Sequence, residues 1–214
     1  MKLATFLEKN KVTIFLKTRK LCSIAVTIMQ KTKDPVHDLE HVEKLLDELD
    51  YLLRKIKKIK KDINFNVLLL AIFWHDTWYV GKKNQNLLQL ILYQFLEGFG
   101  SARLFLKYAK KEGLEAKTMR KTFYCIRKHS SVQLLPPFTI EAKILIDLDK
   151  LELWNFYRFI KERGSFNNDI HFFKRPIVKL YLSYSARVSL YFQSLEKRFN
   201  KYKKNFWGKL SLIK

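Results

Sequence analysis

Hydrophobic positions recur at helical spacing along nearly the whole chain. From Asp38 onward they fall at Leu39, Val42, Leu46, Leu49, Leu53 and Ile56, a three-four alternation that predicts an amphipathic helix with one buried stripe. That helix runs out in the basic stretch Lys55 to Lys61, where cations near a helix C-terminus are favourable. Residues 3–30 carry the same spacing and predict one or two helices. Lys33-Asp34-Pro35 interrupts the pattern, because proline restricts the residue before it and suits a helix start. A helix from about Ile63 to Trp78 is apolar nearly all round and is expected at the centre.

Gly81-Lys82-Lys83-Asn84 reads as a loop. Helical patterning resumes near Leu87 and continues to Lys111, with a break expected at Gly98-Phe99-Gly100. Two further helices are expected at about Glu115 to His129 and Ile140 to Leu153, with Pro136-Pro137 closing the loop between them. Beyond Trp154 the chain turns aromatic and basic. Arg175-Pro176 precedes an amphipathic segment, Ile177 to Phe199, expected to pack back on the domain, and Lys201 to Lys214 is expected to fray. No repeat and no strand alternation is visible, so the expected fold is all-α. We divide it into N-terminal helices (1–30), a core (31–155) and a C-terminal helical extension (156–214), together one structural domain.

Composition sharpens this picture. A chain of 214 residues, 48% hydrophobic, can bury a proper core, and only 6 Gly and 4 Pro favour long helices over a turn-rich β architecture. Cys22 and Cys125 lie far apart with no CxxC spacing, which fits a reducing cytoplasm better than a disulfide framework. Lysines interrupt every apolar stretch of the N-terminus, and the longest apolar run, Val67 to Trp74, is far short of the ~20 residues a spanning helix needs. A soluble, cytoplasmic protein is expected. The net charge of +22 comes from 32 Lys and 10 Arg against 20 acidic residues. It suits a polyanionic partner such as nucleic acid, a phosphorylated substrate or an anionic membrane met by the Lys201 to Lys214 tail. It equally suits lysines that merely solvate helix faces, since Arg, the better bidentate reader of phosphate, is sparse.

The candidate chemistry lies in histidines and aspartates set among apolar residues. His75-Asp76 follows the apolar run directly, and an ionised carboxylate there needs a partner or costs several kcal/mol. A divalent metal supplies that partner, since imidazole and carboxylate suit Zn, Mn, Fe, Co and Ni. Adjacent helical residues point about 100° apart, so both can reach one ion near the helix end. Asp147 and Asp149 punctuate a second aliphatic run and, two residues apart, do not share a helix face. Only one of them is expected to reach the same site. His37 and His41 stand four residues apart and can form a metal face on their own, but no Glu follows His37 as an HExxH metalloprotease requires. His37 reads more simply as a hydrogen-bonded residue at a helix start, and His171 as structural or on the surface. The aromatic residues of the last segment read as core rather than as a base-stacking platform.

Taken in order, "HDLEHVEKLL", "AIFWHDTWY" and "EAKILIDLDKLEL" resemble the three signature segments of the HD superfamily of metal-dependent phosphohydrolases. The segments "SARLFLKYAKKEGL" and "CIRKHSS" are similar to the middle of its small soluble members, and the resemblance spans roughly residues 30–155. It implies a compact helical bundle whose metal ligands are His41, His75, Asp76 and Asp149, with Asp147 the weaker alternative. Tyr79 stands where some nucleotidases of the family keep a glutamate, and Asn84 to Gly100 is longer than in compact members. Binuclear members supply more histidines between the His-Asp pair and the last Asp. Here only His129 lies there, which implies one divalent ion (Mn, Ni, Co, Fe, Zn or Mg) and argues against the family's di-iron oxygenase branch.

The activity implied is hydrolysis of a phosphate ester of a nucleotide or other small phosphorylated metabolite by a metal-activated water. In that scheme Asp76 also accepts the proton of the water, His129 stabilises phosphate or acts as acid, and Lys150, Arg127 and Lys128 supply phosphate-binding cations. The alternative, from another class, is a catalytically quiet helical module that binds nucleic acid or another polyanion through its basic surface.

Overall fold

A computed structural model describes residues 1–31, 38–79, 87–129, 136–158, 183–184 and 189–211, with the side chains of residue 79 and residues 87–95 left aside. The described residues form helices and no strand, so the fold is all-α as expected. Residues 3–30 give two helices, α1 (Leu3–Lys9) and α2 (Leu16–Met29). They are followed by α3 (Leu39–Lys55), a 3-10 turn over Lys57–Lys61, and α4 (Phe65–Trp74). A second 3-10 turn, Thr77–Tyr79, precedes α5 (Leu87–Lys111), α6 (Ala116–Lys128) and α7 (Ile140–Leu153). A 3-10 turn over Gln193–Leu195 leads into α8 (Glu196–Leu210).

Helix α4 is the hub. Val67 to Trp74 are all buried, and the helix packs against α2, α6 and α7. The Trp74 indole N–H donates to the Leu21 carbonyl at 3.1 Å, fastening α4 to α2. At the other end of α4, Asn64 caps the Val67 N–H while its own N–H donates to the buried Glu141 carboxylate of α7 at 2.9 Å. A carboxylate there satisfies an orphan donor and suits the positive end of the helix dipole. Helix α3 lays its stripe of Val42, Leu45, Leu46, Leu49 and Leu52 into the core and packs along α7.

Four sequence expectations are corrected. The central helix ends at Trp74 rather than Trp78, with His75 as its C-cap. Helix α5 passes unbroken through Gly98-Phe99-Gly100. Those glycines serve close approach instead: a Cβ on Gly98 would meet the Arg127 and Ile126 carbonyl oxygens at 3.1 and 3.2 Å, and one on Gly100 would strike the Trp78 ring at 2.2 Å. The amphipathic segment expected over Ile177 to Phe199 packs back through the buried Leu195 and Phe199, with 177–182 and 185–188 outside the described residues, but 189–192 of this helical extension are not helical. There the Asp147 carboxylate accepts the Phe192 N–H at 2.8 Å and fixes an extended return. Finally, Lys201 to Leu210 is helix, because α8 is docked. Phe199 and Phe206 are buried beside Trp154, and Arg198 NH2 donates to Glu48 of α3 at 2.7 Å.

Among the described residues no helix is long and apolar enough to cross a membrane. Cys22 and Cys125 are both buried and unbridged.

Candidate metal centre

The N-terminus of α3 and the C-terminal ends of α4, α6 and α7 meet at one point. His41 lies in the first turn of α3, where its backbone N–H is capped by Asp38 at 3.1 Å. His75 is the C-cap of α4 and Asp76 follows it; His129 is the C-cap of α6; Asp149 sits in the last turns of α7. Three helices thus point their negative dipole ends at the site, which favours a cation there.

Two of the histidines are held in the same way. His75 Nδ1 lies 2.8 Å from the Ile72 carbonyl, and His129 Nδ1 lies 2.6 Å from the Ile126 carbonyl. Each ring therefore carries a proton on Nδ1 and donates it to a carbonyl three residues back in the last turn of its helix. Each Nε2 is turned into the site.

The donor atoms converge. His41 Nε2 lies 3.1 Å from His75 Nε2, 3.5 Å from Asp76 Oδ2 and 3.3 Å from Asp149 Oδ1; His75 Nε2 lies 3.2 Å from Asp76 Oδ2. Ligand atoms about 2.1 Å from one ion stand about 3.0 Å apart at right angles and about 3.4 Å apart at the tetrahedral angle. The observed spacings match that range. The His41, His75 and Asp76 group is buried and can hold a metal ion. Asp149 shares its corner but is 31% exposed at the side chain, against 1% for each histidine, so the site opens at Asp149.

Electrostatics divide the rings. Burial pushes the His41 pKa down to about 4, helped by Arg158 and opposed by Asp149 and Asp76. His41 is therefore neutral at neutral pH, with a lone pair available. Burial also pushes His129 down, but Asp76, Glu97 and Asp149 together outweigh it and raise it to about 9. The geometry explains why. With Nδ1–H committed to Ile126, a neutral ring would turn a lone pair toward Asp76 Oδ1 at 3.5 Å and Glu97 Oε1 at 3.7 Å, so the ring protonates instead. Neither separation is a hydrogen bond, and His129 Nε2 is a buried polar atom without one. Desolvation pushes Asp149 up, yet His41 and Arg158 hold it well below the usual carboxylate range.

His41, His75, Asp76, Asp149 and His129 are thus brought together. Asp147, Lys150 and Arg127 are directed elsewhere. Asp147 faces the opposite side of α7, where burial pushes its pKa up to about 6 against the backbone bonds from Tyr191 and Phe192. Lys150 donates to the Ser189 carbonyl at 3.3 Å and lies 5.6 Å over the Tyr191 ring. The Arg127 guanidinium lies over Phe99 at 5.7 Å and Phe123 at 5.9 Å, and Lys128 is half-buried in the last turn of α6. His37, His171 and the Tyr79 side chain lie outside the described residues.

Two site residues escape the sequence reading. Glu97 of α5 is brought up to His129 by the close α5–α6 approach that Gly98 permits. Arg158, in a helical stretch over 156–158 just past α7, sets its guanidinium 3.5 Å from Asp149 Oδ1 and 3.9 Å from Asp76 Oδ2. For Glu97 the usable signal is the pair of glycines, which mark a close helix approach rather than the expected break. Arg158 carries none, lying among aromatic residues outside every motif.

Compared with protein-family models, with curated proteins and with solved structures, the chain matches none.

Proposed function

We propose that this chain is a metal-dependent phosphohydrolase of the HD type, acting on a phosphate ester of a nucleotide or other small phosphorylated metabolite. The observation that carries the reading is the convergence of His41, His75 and Asp76 donor atoms at spacings suited to one divalent ion, with Asp149 3.3 Å from His41 at the open edge. When bound, such an ion acidifies a water and offsets charge on a phosphoryl oxygen. His41, His75, Asp76 and Asp149 would hold it, consistent with the mixed nitrogen and oxygen donor set.

The chain's own groups supply the rest. Asp76 turns Oδ2 to the histidine corner and Oδ1 toward His129, so one carboxylate serves as ligand and as acceptor for the proton of an attacking water. His129, cationic between Asp76 and Glu97, donates from Nε2 to the leaving oxygen. The Ile72 and Ile126 carbonyls keep both rings in the tautomer this needs. His41, His75 and His129 are closed off from solvent, so water reaches the cluster from the Asp149 edge.

Metal analysis of protein purified without chelator tests the reading first. About one equivalent of divalent metal is expected, lost in Asp76→Ala. A panel of phosphomonoesters, phosphodiesters and nucleotides with Mn, Co, Ni, Zn and Mg then tests turnover, with Asp76→Ala as the blank. Activity surviving in that variant would refute the site. A second reading, a polyanion-binding module without turnover, draws on the exposed Lys197, Lys201 and Lys204 of α8. Salt-dependent oligonucleotide binding with no turnover of any ester would select it.

A further inference from the structure

We infer that Arg158 is the anion clamp of this site: its guanidinium takes the phosphate group of the substrate and, by the same charge, lowers the affinity of the donor cluster for its cation. The inference rests on the metal-centre reading above. Arg158 NH1 and NH2 approach Asp149 Oδ1 and Asp76 Oδ2, the same two oxygens that face His41 Nε2. The guanidinium therefore lies at the rim of the donor cluster. That rim is the open edge: the Asp149 and Arg158 side chains are 31% and 17% exposed, while His41, His75 and His129 are closed off. A ligand entering from solvent meets Arg158 before it meets any histidine.

Charge gives the clamp its purpose. Asp76, Asp149 and Glu97 bring three carboxylates to the site. A held ion and the cationic His129 would offset that charge inside the cluster, and at the rim a guanidinium offers a phosphate dianion two parallel N–H donors. Of the cations that the sequence suggested, Lys150 lies against Ser189 and Tyr191 and Arg127 over Phe99 and Phe123, while Lys128 is half-buried in α6. Arg158 also stands at distances of 3.5 and 3.9 Å from its carboxylates. Both exceed the ~2.7–2.9 Å of a closed bidentate pair, and the guanidinium charge is shared between the two acids at the rim. Its backbone is well seated. Asn155 donates to Glu152 at 3.1 Å and accepts the Tyr157 N–H at 3.1 Å, which starts the turn that carries Arg158, and Phe156 packs on Phe206.

Removing the charge should move two affinities in opposite directions, which loss of a merely structural residue would not do. The experiment is calorimetric titration of full-length wild type, Arg158→Gln and Arg158→Lys with Mn2+ alone, then with inorganic phosphate after Mn2+ loading. Arg158→Gln is expected to bind Mn2+ about threefold to tenfold more tightly, since a positive neighbour of two ligands is gone. Its phosphate affinity should fall about tenfold to a hundredfold, as for loss of a charge-assisted fork. Arg158→Lys should keep the wild-type Mn2+ affinity within about twofold yet bind phosphate about tenfold more weakly, because an ammonium lacks the fork. If Arg158→Gln fails to fold by circular dichroism, the Arg158→Lys pair of values carries the test. Joint weakening of Mn2+ and phosphate, or unchanged phosphate affinity in both variants, overturns the assignment while leaving the metal centre intact. Wild-type protein that binds Mn2+ but no phosphate overturns it too. Wild type that takes up no divalent metal sinks the metal-centre reading, and this inference with it.

Discussion

Single side chains decide what the site holds and what the fold tolerates. His75→Ala removes a buried donor and should lower divalent-metal affinity at least tenfold by calorimetry, as should Asp76→Asn, while His37→Ala leaves it unchanged. Away from the ligands, Glu152 shows a cost written into the core. Burial pushes its pKa up to about 6 from 4.5, with Asn155 and Arg158 opposing and Glu48 adding to the shift. A carboxyl raised in the folded state is neutral at no cost below the ordinary range, and the cost grows as pH rises through 4.5 to 6. Glu152→Gln keeps the acceptor for Asn155 and should stabilise the protein by about 1–2 kcal/mol at pH 7.5. The gain should vanish near pH 4, as chemical denaturation at the two pH values would reveal. At this scale the sequence was legible where chemistry is compressed into adjacent residues. His75-Asp76 announces itself because a charge inside an apolar run demands a partner. Glu97 and Arg158 do not, because each owes its place to tertiary contacts that no local pattern encodes.

Between residues and molecule, the glycines of the helices have opposite meanings. Gly100 has no room for a methyl group beside Trp78, whereas Gly208 in α8 has nothing within 4 Å of its Cβ position. Gly100→Ala should therefore destabilise by about 1–3 kcal/mol through overpacking. Gly208→Ala should stabilise by about 0.5–1 kcal/mol through helix propensity alone. Thermal melts of the two variants would read opposite shifts, and equal shifts would contradict this account. The same contrast explains why α5 continues through the glycines where a break is expected. Glycine in a helical pattern signals either an end or a close neighbour, and only the neighbour's position distinguishes them. By contrast, the bounds of α7 were legible to the residue. Thr139 caps its start, accepting the Ala142 N–H at 3.3 Å, and Pro136-Pro137 stands just upstream.

For the whole molecule, the C-terminal helix is docked against α3 and the end of α7. Arg198 places NH2 2.7 Å and Nε 2.5 Å from the two Glu48 oxygens, and the Tyr202 hydroxyl donates to Glu48 at 2.7 Å. Glu48 is buried, so removing Arg198 leaves a carboxylate with half its partners. Arg198→Ala should cost about 2 kcal/mol, less than a wholly buried pair because the guanidinium is partly exposed. Lys204→Ala on the outer face should change the unfolding midpoint hardly at all. The segment expected to fray is held as helix because its exposed lysines line the solvent side while Phe199 and Phe206 are buried. Net charge said nothing about docking; the spacing of two phenylalanines did.

The shared tethering of His75 and His129 has a further consequence, for which changes the protein can absorb. Both rings take their orientation from a main-chain oxygen, which every residue type provides. Exchanging Ile72 or Ile126 for another aliphatic residue leaves that oxygen where it was. Inserting one alanine into α4 or α6 turns everything beyond it by about 100° and carries the ring off its mark. Helix length acts as the ruler of the site, so the centre is robust to spelling and fragile to counting.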